Sequence, residues 1–453
     1  MELKRVMSRR IIIIGNGIAG ITCARTLRKR DPEVEIIVIS GESKYFYSRT
    51  ALMYVFMGHL KMEHTEPYEP WFWEKNRIEL LQDWVTGIDP DARSIKLQEN
   101  GRLRYDELIL ATGSKPNKFG WPGENLEGVR GLYSRQDLAY LENYSPKIET
   151  AVIVGGGLIG IELAEMLKSK GKKVHFLIRE KSFWNKVLPD PESELITQHI
   201  EKHGVELHLE TELQEIIGAS NGQVEAVRTK AGQLIPCQYV GLTAGVSPNI
   251  KVALSAGISC NKGILVNEYL QTETPHIHAI GDCAELKHPT HGRKAIEAVW
   301  YTGKMMGQTL ASTLTGNPVT YDPGHSFNSA KFFDIEYQTY GTVHSRLQEN
   351  ESDFYWQHPT EELAIHFVFE KDTGKFLGVN SFGIRLRHEA FDHWLKKGAH
   401  IEKVLSQMRN ANFDPEFYRT HEGAIIEKFN RSFGTQIKAQ RKNWAEILKF
   451  SKS

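Results

Sequence analysis

The chain has 453 residues, 40% hydrophobic and 25% charged, enough to build full cores for roughly three globular domains. Its 56 Lys and Arg balance 56 Asp and Glu, so no basic excess exists to hold nucleic acid. No run reaches the ~18 apolar residues that a membrane span requires.

The stretch MELKRVMSRRIIIIG places basic residues before apolar ones, as a secretion signal does. Four isoleucines closed by a glycine are too few for such a signal's apolar core. Ile11–Ile14 is instead expected to be a buried strand, and a cytoplasmic address follows. A helix over Ile18–Arg28 and a mostly apolar strand over Glu33–Ser40 continue the pattern of buried parallel strands. SIKLQENGRLRYDELILATG reads as a hairpin about Asn100-Gly101 leading into an apolar strand at Leu108–Leu110.

From Thr150 the alternation restarts, with the strand AVIVGG, a helix from Leu158 and the strand KVHFLIR. DPESELITQHIEKHG is expected to be helical, opened by Pro191 and closed by Gly204. ASNGQVEAVRTKAGQLIPCQYVGLTAG carries the turn signals of a small antiparallel meander, and AIEAVWYTGKMMGQTLA reads as a helix. After about Gly324 the period changes. FNSAKFFDIEYQTYGTV and LAIHFVFEKDTGKFLGVNSFG alternate apolar and polar residues, the second folding about Asp372-Thr373-Gly374. Helical HEAFDHWLKKG and IEKVLSQMRN follow, which predicts an α+β domain on an antiparallel sheet.

Two glycine triplets share one spacing: Gly15-x-Gly17-x-x-Gly20 and Gly155-x-Gly157-x-x-Gly160. Each lies between an apolar strand and a helix. There the first glycine permits a tight turn, the second lets backbone approach a pyrophosphate, and the third lets helix and strand pack closely. The pyrophosphate rests on unpaired amides at the helix N-terminus. An acidic residue about 20 positions on grips a ribose hydroxyl in such folds. Glu42 is the candidate, with a solvated loop charge as the alternative. Cys23, Cys237, Cys260 and Cys283 form no Cys-x-x-Cys pair and read as buried, inert thiols.

LILATGSKPN and HIHAIGDCAE resemble conserved pieces of the flavoproteins with two dinucleotide-binding domains, the superfamily of the pyridine nucleotide–disulfide reductases. The resemblance implies that Ala111, Thr112 and Gly113 pass the flavin nucleotide, and that Gly281 and Asp282 bind its ribityl chain. LTAGVSPN is similar to the family's return crossing between domains, which implies that Gly245 there contacts NAD(P). DWVTGID, with Val85, resembles the strand beside the flavin's adenine. YFYSRTALMYV keeps Tyr47, Arg49 and Leu52 of the pattern of ferredoxin reductases, with Thr50, Met53 and Tyr54 replacing its second proline, its serine and its lysine. The likeness is greatest to ferredoxin and rubredoxin reductases and to the flavin portion of NADH-dependent nitrite reductases. The same segment holds no cysteine, so the thiolate relay of the disulfide reductases has no atoms to run on.

The order of motifs implies an α/β fold with two Rossmann-like domains. A nicotinamide domain (121–244) is inserted in a discontinuous FAD domain (1–120 and 245–324), followed by a C-terminal α+β domain (325–411) and a basic tail (412–453). In the nicotinamide domain Ile178 holds the place where NAD-specific sites carry an acid, and Arg179 and Glu180 follow. The signal divides, leaning to NADH over NADPH. Glu162 matches a family glutamate near the nicotinamide, the alternative being an ordinary charge in the first helical turn. Trp300 and Tyr301 are either a cover for the flavin or core residues. His288 and His291 have loop spacing without further ligands, so no metal is expected there.

The tail carries Phe433, Ile437, Trp444 and Leu448 near helical spacing. It reads as a basic amphipathic helix for a membrane surface or partner, or as packing on the third domain or across a homodimer. The expected activity is FAD-dependent oxidation of NAD(P)H with a ferredoxin- or rubredoxin-like acceptor. The alternatives are a peripheral NADH:quinone reductase and a redox-biased binding or scaffold protein.

Overall fold

The structure is a computed structural model describing residues 9–290, 292–413 and 419–450. The start of the signal-like stretch, His291 and the last residues of the tail lie outside the described residues. The chain divides into two compact units. Met1–Glu149, Gly218–Val224 and Gln238–Pro323 form one, and Thr150–Ile217, Glu225–Cys237 and Gly324–Ser453 form the other. The first glycine triplet, the Ala-Thr-Gly turn, the return crossing and the Gly-Asp motif all fall in the first unit. The second triplet falls with the C-terminal sheet.

The first unit is built on a five-stranded sheet in the order Ile277–Ala279, Glu107–Leu110, Arg10–Ile14, Glu35–Ser40, Ile78–Gln82. Every neighbouring pair is parallel. Ile11 to Ile14, Ile36 to Ile39 and Leu108 to Leu110 are buried, which explains their apolar runs. The helix Ile18–Arg30 follows the first strand and ends on Arg28, Lys29 and Arg30, which complement its negative end. The helix Trp300–Leu314 packs on it closely. A Cβ at Gly307 would lie 2.6 Å from the Ala19 carbonyl oxygen, so only glycine admits this approach.

That second helix starts at Trp300, five residues later than the expected Ala295. The ion pair of Arg293 with Glu297, 2.7 Å from Nε to Oε1, anchors the preceding stretch. Val299 is extended (φ −128°, ψ 136°), and the Thr302 hydroxyl donates to the carbonyls of Glu297 and Val299. Good local helix formers are overridden by these contacts.

In the second unit Thr150–Val154, Lys173–Leu177 and Glu206–His208 are parallel neighbours. The helices Leu158–Ser169 and Asp190–Lys202 belong to the same unit. Val224–Thr229 and Leu234–Pro236 form the expected antiparallel turn, but Tyr239–Leu242 does not extend it. It pairs parallel with Val129–Arg130 instead. Pro236, which has no amide proton, closes the meander strand at that point.

The C-terminal sheet is antiparallel throughout, in the order Phe327–Phe332, Ile335–Gly341, Phe376–Phe382, Ala364–Glu370, Glu351–Gln357. A buried polar chain ties it to the helix Asp190–Lys202. Glu192 accepts from His366 Nδ1 at 2.7 Å and from Asn380 Nδ2 at 2.8 Å, while His366 Nε2 meets Asp353 at 2.7 Å.

The expected single amphipathic helix of the tail is broken. Glu422–Phe433 ends at Gly434, which is left-handed (φ +67°), and Trp444–Phe450 begins a separate helix. Asn430 holds the turn between them by bonding both the amide and the carbonyl of Ile437. Ile425, Ile426, Phe429 and Phe450 are buried in the C-terminal core, and Ile437 and Ile447 pack against it. Part of the tail's apolar surface is thus spent on its own unit, although Phe413, Phe433, Trp444 and Leu448 stay exposed. Among the described residues no helix is long and apolar enough to cross a membrane.

Candidate functional site

The first glycine turn is shaped by contacts that only glycine allows. Gly15 is at φ +114°, and a Cβ there would lie 2.1 Å from the Ala111 carbonyl oxygen. A Cβ at Gly20 would lie 2.1 Å from the Gly15 oxygen, so the helix can close on the turn only without one. Gly17 differs from both. It caps the helix with no side-chain bond, no acid occupies the first turn, and no atom lies within 4 Å of a Cβ built on it. The result is an open cradle above free helical amides, the arrangement that receives a pyrophosphate.

Around this turn the other expected FAD residues meet in one chain of polar contacts. The Glu42 carboxylate receives two bonds from Arg49, at 3.1 and 2.7 Å, together with the Tyr47 hydroxyl and the Arg135 amide. Arg49 also donates to the Tyr133 carbonyl at 2.6 Å and lies 4.5 Å over its ring. The Tyr133 hydroxyl accepts from the Ser114 amide, and the Ser114 hydroxyl donates to Asp282 at 2.8 Å. Burial alone would raise the Glu42 carboxyl, but the Arg49 guanidinium holds it below the usual carboxylate range. Burial does raise Asp282, partly offset by Ser114 and Arg49.

Thr112 and Gly113 are fixed from the return crossing. The Thr112 hydroxyl donates to the Asn249 carbonyl at 2.6 Å, and the Asn249 amide donates to the Gly113 oxygen at 2.8 Å. Ser114–Pro116 then pairs antiparallel with Val246–Pro248. Gly245, at φ +83°, accepts from the Asn117 amide and so sits in the unit of the FAD motifs. Val85 is half-buried at the edge of that core. Beside it Trp84, 57% exposed, lies against Gly41, where a Cβ would be 2.1 Å from the indole. No motif marks Tyr133 or Arg135, which reach the site from a separate loop; Ser114 and Trp84 lie inside LILATGSKPN and DWVTGID, but spacing alone gives them no role.

The second turn repeats the first. Gly155 is at φ +117°, Gly157 caps the helix Leu158–Ser169 without a side-chain bond, and no atom lies within 4 Å of a Cβ on Gly157. Gly160 is buried in the first turn of that helix. Ile178 is fully buried, so it leaves the ribose position without an acid. Arg179 is bound to Glu180 at 2.8 Å, and Lys186 meets the same oxygen at 2.8 Å. Glu162 is half-buried. Burial pushes its carboxyl up to about 7, and the neighbouring Glu165 adds to the shift. Trp300 and Tyr301 touch edge to face at 5.4 Å at the start of their helix, and His288 is exposed. Cys23, Cys237 and Cys283 are buried and Cys260 partly so; all four are free thiols.

The family model of the pyridine nucleotide-disulphide oxidoreductases matches residues 9–306. The chain is 30% identical over 395 residues to an assimilatory nitrate reductase electron transfer subunit of Bacillus subtilis, covering 86% of this chain and 49% of that one. It is 34% identical over 348 residues to an NADH oxidase of Methanocaldococcus jannaschii, covering 72% of this chain and 75% of that one. The chain therefore spans about half the length of the first of these relatives. Among solved structures, a ferredoxin reductase for the CYP199A2 system of Rhodopseudomonas palustris superposes with a TM-score of 0.76 at 25% identity. The match covers 83% of this chain and 91% of that one.

Proposed function

The chain belongs to the pyridine nucleotide-disulphide oxidoreductase family, and from that premise we propose that it oxidises NAD(P)H through FAD and passes the electrons to a small iron–sulfur carrier of the ferredoxin or rubredoxin kind. The observation that carries this reading is the pair of open cradles at Gly17 and Gly157, each above an uncapped helix. When bound, the flavin supplies hydride acceptance and the stepwise release of electrons.

The chain's own residues supply binding and orientation. The amides after Gly17 would receive the FAD pyrophosphate, and Asp282, aimed by Ser114, would take the ribityl hydroxyls. Glu42 is already engaged by Arg49, so its part is to hold the loop as well as to face a ribose. The amides after Gly157 would receive the second dinucleotide. Arg179, tied to Glu180, is less available to a 2′-phosphate, which favours NADH. The nicotinamide fold is read as an insertion in the FAD fold, and the setting as cytoplasmic. The ferredoxin reductase likeness supports a protein acceptor over a quinone.

Anaerobic mixing of the FAD-loaded chain with NADH or NADPH tests the reading. Rapid bleaching of the flavin is expected, faster per unit concentration with NADH, followed by reoxidation on adding ferredoxin or rubredoxin rather than quinone. If neither nucleotide bleaches the flavin, the proposed activity is wrong. Glu162 gives a second check. Its carboxyl loses a proton as pH rises through about 7, so the KM for the reductant should change across that pH in the parent. In Glu162→Gln the KM should be flat there, as read from initial rates between pH 5.5 and 8.5.

A further inference from the structure

The proposed redox site uses none of the histidines of the second unit, yet two of them share one face of a helix. His199 and His203 stand four residues apart in QHIEKH, at the end of Asp190–Lys202. His199 is fully buried. Its Nε2 lies 2.7 Å from Asp334 Oδ1, and its Nδ1 lies 2.8 Å from Glu362 Oε2. His203 Nε2 lies 3.4 Å from the same Asp334 oxygen. His203 Nδ1 faces the His199 carbonyl at 3.0 Å, which leaves Nε2 as the nitrogen with a free lone pair.

The turn that delivers Asp334 is built for the purpose. Phe332 pairs with Ile335, so Phe333 and Asp334 alone connect the two strands. Phe333 is left-handed (φ 55°), where hairpins ordinarily place glycine or asparagine. Its ring stacks on His203 at 4.4 Å, which holds the turn against the helix.

A plain ion pair does not account for His199. Its buried Nε2 makes no well-formed hydrogen bond although Asp334 lies only 2.7 Å away, while Nδ1 faces Glu362 at 2.8 Å. His366, in the same unit, shows what a clamped imidazolium looks like, with both nitrogens in well-formed bonds at 2.7 Å.

We propose that His199 Nε2, His203 Nε2 and Asp334 Oδ1 bind a divalent transition-metal ion, zinc by the chemistry of this donor set, with Glu362 orienting the His199 ring. Tetrahedral zinc with ligands ~2.0–2.2 Å away has ligand–ligand edges of roughly 3.3–3.5 Å. The 3.4 Å separation of His203 from Asp334 already fits. The 2.7 Å one has to open slightly, and Asp334, 74% exposed, can move to allow it. A carboxylate behind a ligating imidazole is the usual outer support of such a site. The exposed side of Asp334 leaves room for a water as fourth ligand. The ion would pin the helix Asp190–Lys202 to the first hairpin of the C-terminal sheet, acting as a structural clip.

The test uses the full-length, FAD-loaded protein after chelator treatment, titrated with zinc chloride alone by calorimetry and with cobalt(II) for its tetrahedral absorption. One ion per chain is expected, with a rise in Tm on adding zinc. Asp334→Asn and His203→Gln, both at partly exposed positions, should abolish the stoichiometric step while flavin absorbance and circular dichroism are unchanged. Glu362→Gln should weaken binding about 10- to 100-fold. A second cluster, His175 with Glu206 and His208 at 2.9 to 3.5 Å, is the internal control, and His208→Gln should leave binding intact. No binding to the parent, or binding that survives both Asp334→Asn and His203→Gln, overturns the proposal.

Discussion

Alanine in place of Gly17 should give a chain that folds and melts like the parent but is purified largely without flavin. Gly17 has ordinary dihedrals (φ −70°, ψ −178°), and a Cβ there meets no protein atom within 4 Å. The methyl group is therefore neutral to the fold and fills only the space a pyrophosphate would enter. Losing one amide–phosphate bond, worth ~1.5–3 kcal/mol, lowers affinity roughly 10- to 150-fold. The readout is the ratio of flavin to protein absorbance before and after adding FAD. Gly157→Ala should do the same to the reductant alone, raising its KM while the flavin stays bound. Gly15→Ala is the contrasting case, since its Cβ collides at 2.1 Å and its φ is +114°, so it should damage the fold itself. A Gly17→Ala protein that kept its full yellow colour would remove the argument for the first cradle.

His366→Leu should strongly destabilise the second unit. His366 is buried between Glu192 and Asp353, and its loss leaves Glu192 buried with only Asn380 as partner. Breaking one side of a buried pair costs ~3–5 kcal/mol, which corresponds to a fall in Tm on the order of 10 °C. The pH dependence follows in sign. Burial would lower the His366 pKa, but Asp353 and Glu192 raise it to about 9, above its ordinary value of 6.5. The stabilisation is fully present below about pH 6.5 and is lost as pH rises through about 9. Thermal unfolding of the parent should weaken across that window, and His366→Leu should lack the slope. An unchanged Tm in the variant would show that the triad contributes nothing net.

Local features could be read directly from the chain. Ile11–Ile14 and its neighbours had to be buried strands because every residue in the run is apolar. Gly15 and Gly20 had to form a turn into a helix because each answers to a close backbone contact or a positive φ, while Gly17 between them leaves open space above the helix start. The alternation after Gly324 likewise announced an antiparallel sheet, and its Asp372-Thr373-Gly374 turn lies where the pattern put it. The family motifs extended this reach to Asp282, though not to what orients it.

Pairings between distant segments emerge only in the folded chain. Arg49 reaches Tyr133 across 84 positions, and Ser114 reaches Asp282 across 168. The late start of the helix at Trp300, the parallel pairing of Tyr239–Leu242 and the folding of the tail onto its own core belong to the same class. So does the convergence of His199, His203 and Asp334. In QHIEKH the histidine spacing was legible, but nothing in the neighbouring residues says that a hairpin more than a hundred positions later will bring a carboxylate to it. Local dihedral and burial preferences act over a few residues and leave a pattern in the chain. A contact between remote segments is set by how whole elements pack, and it writes no period into either partner.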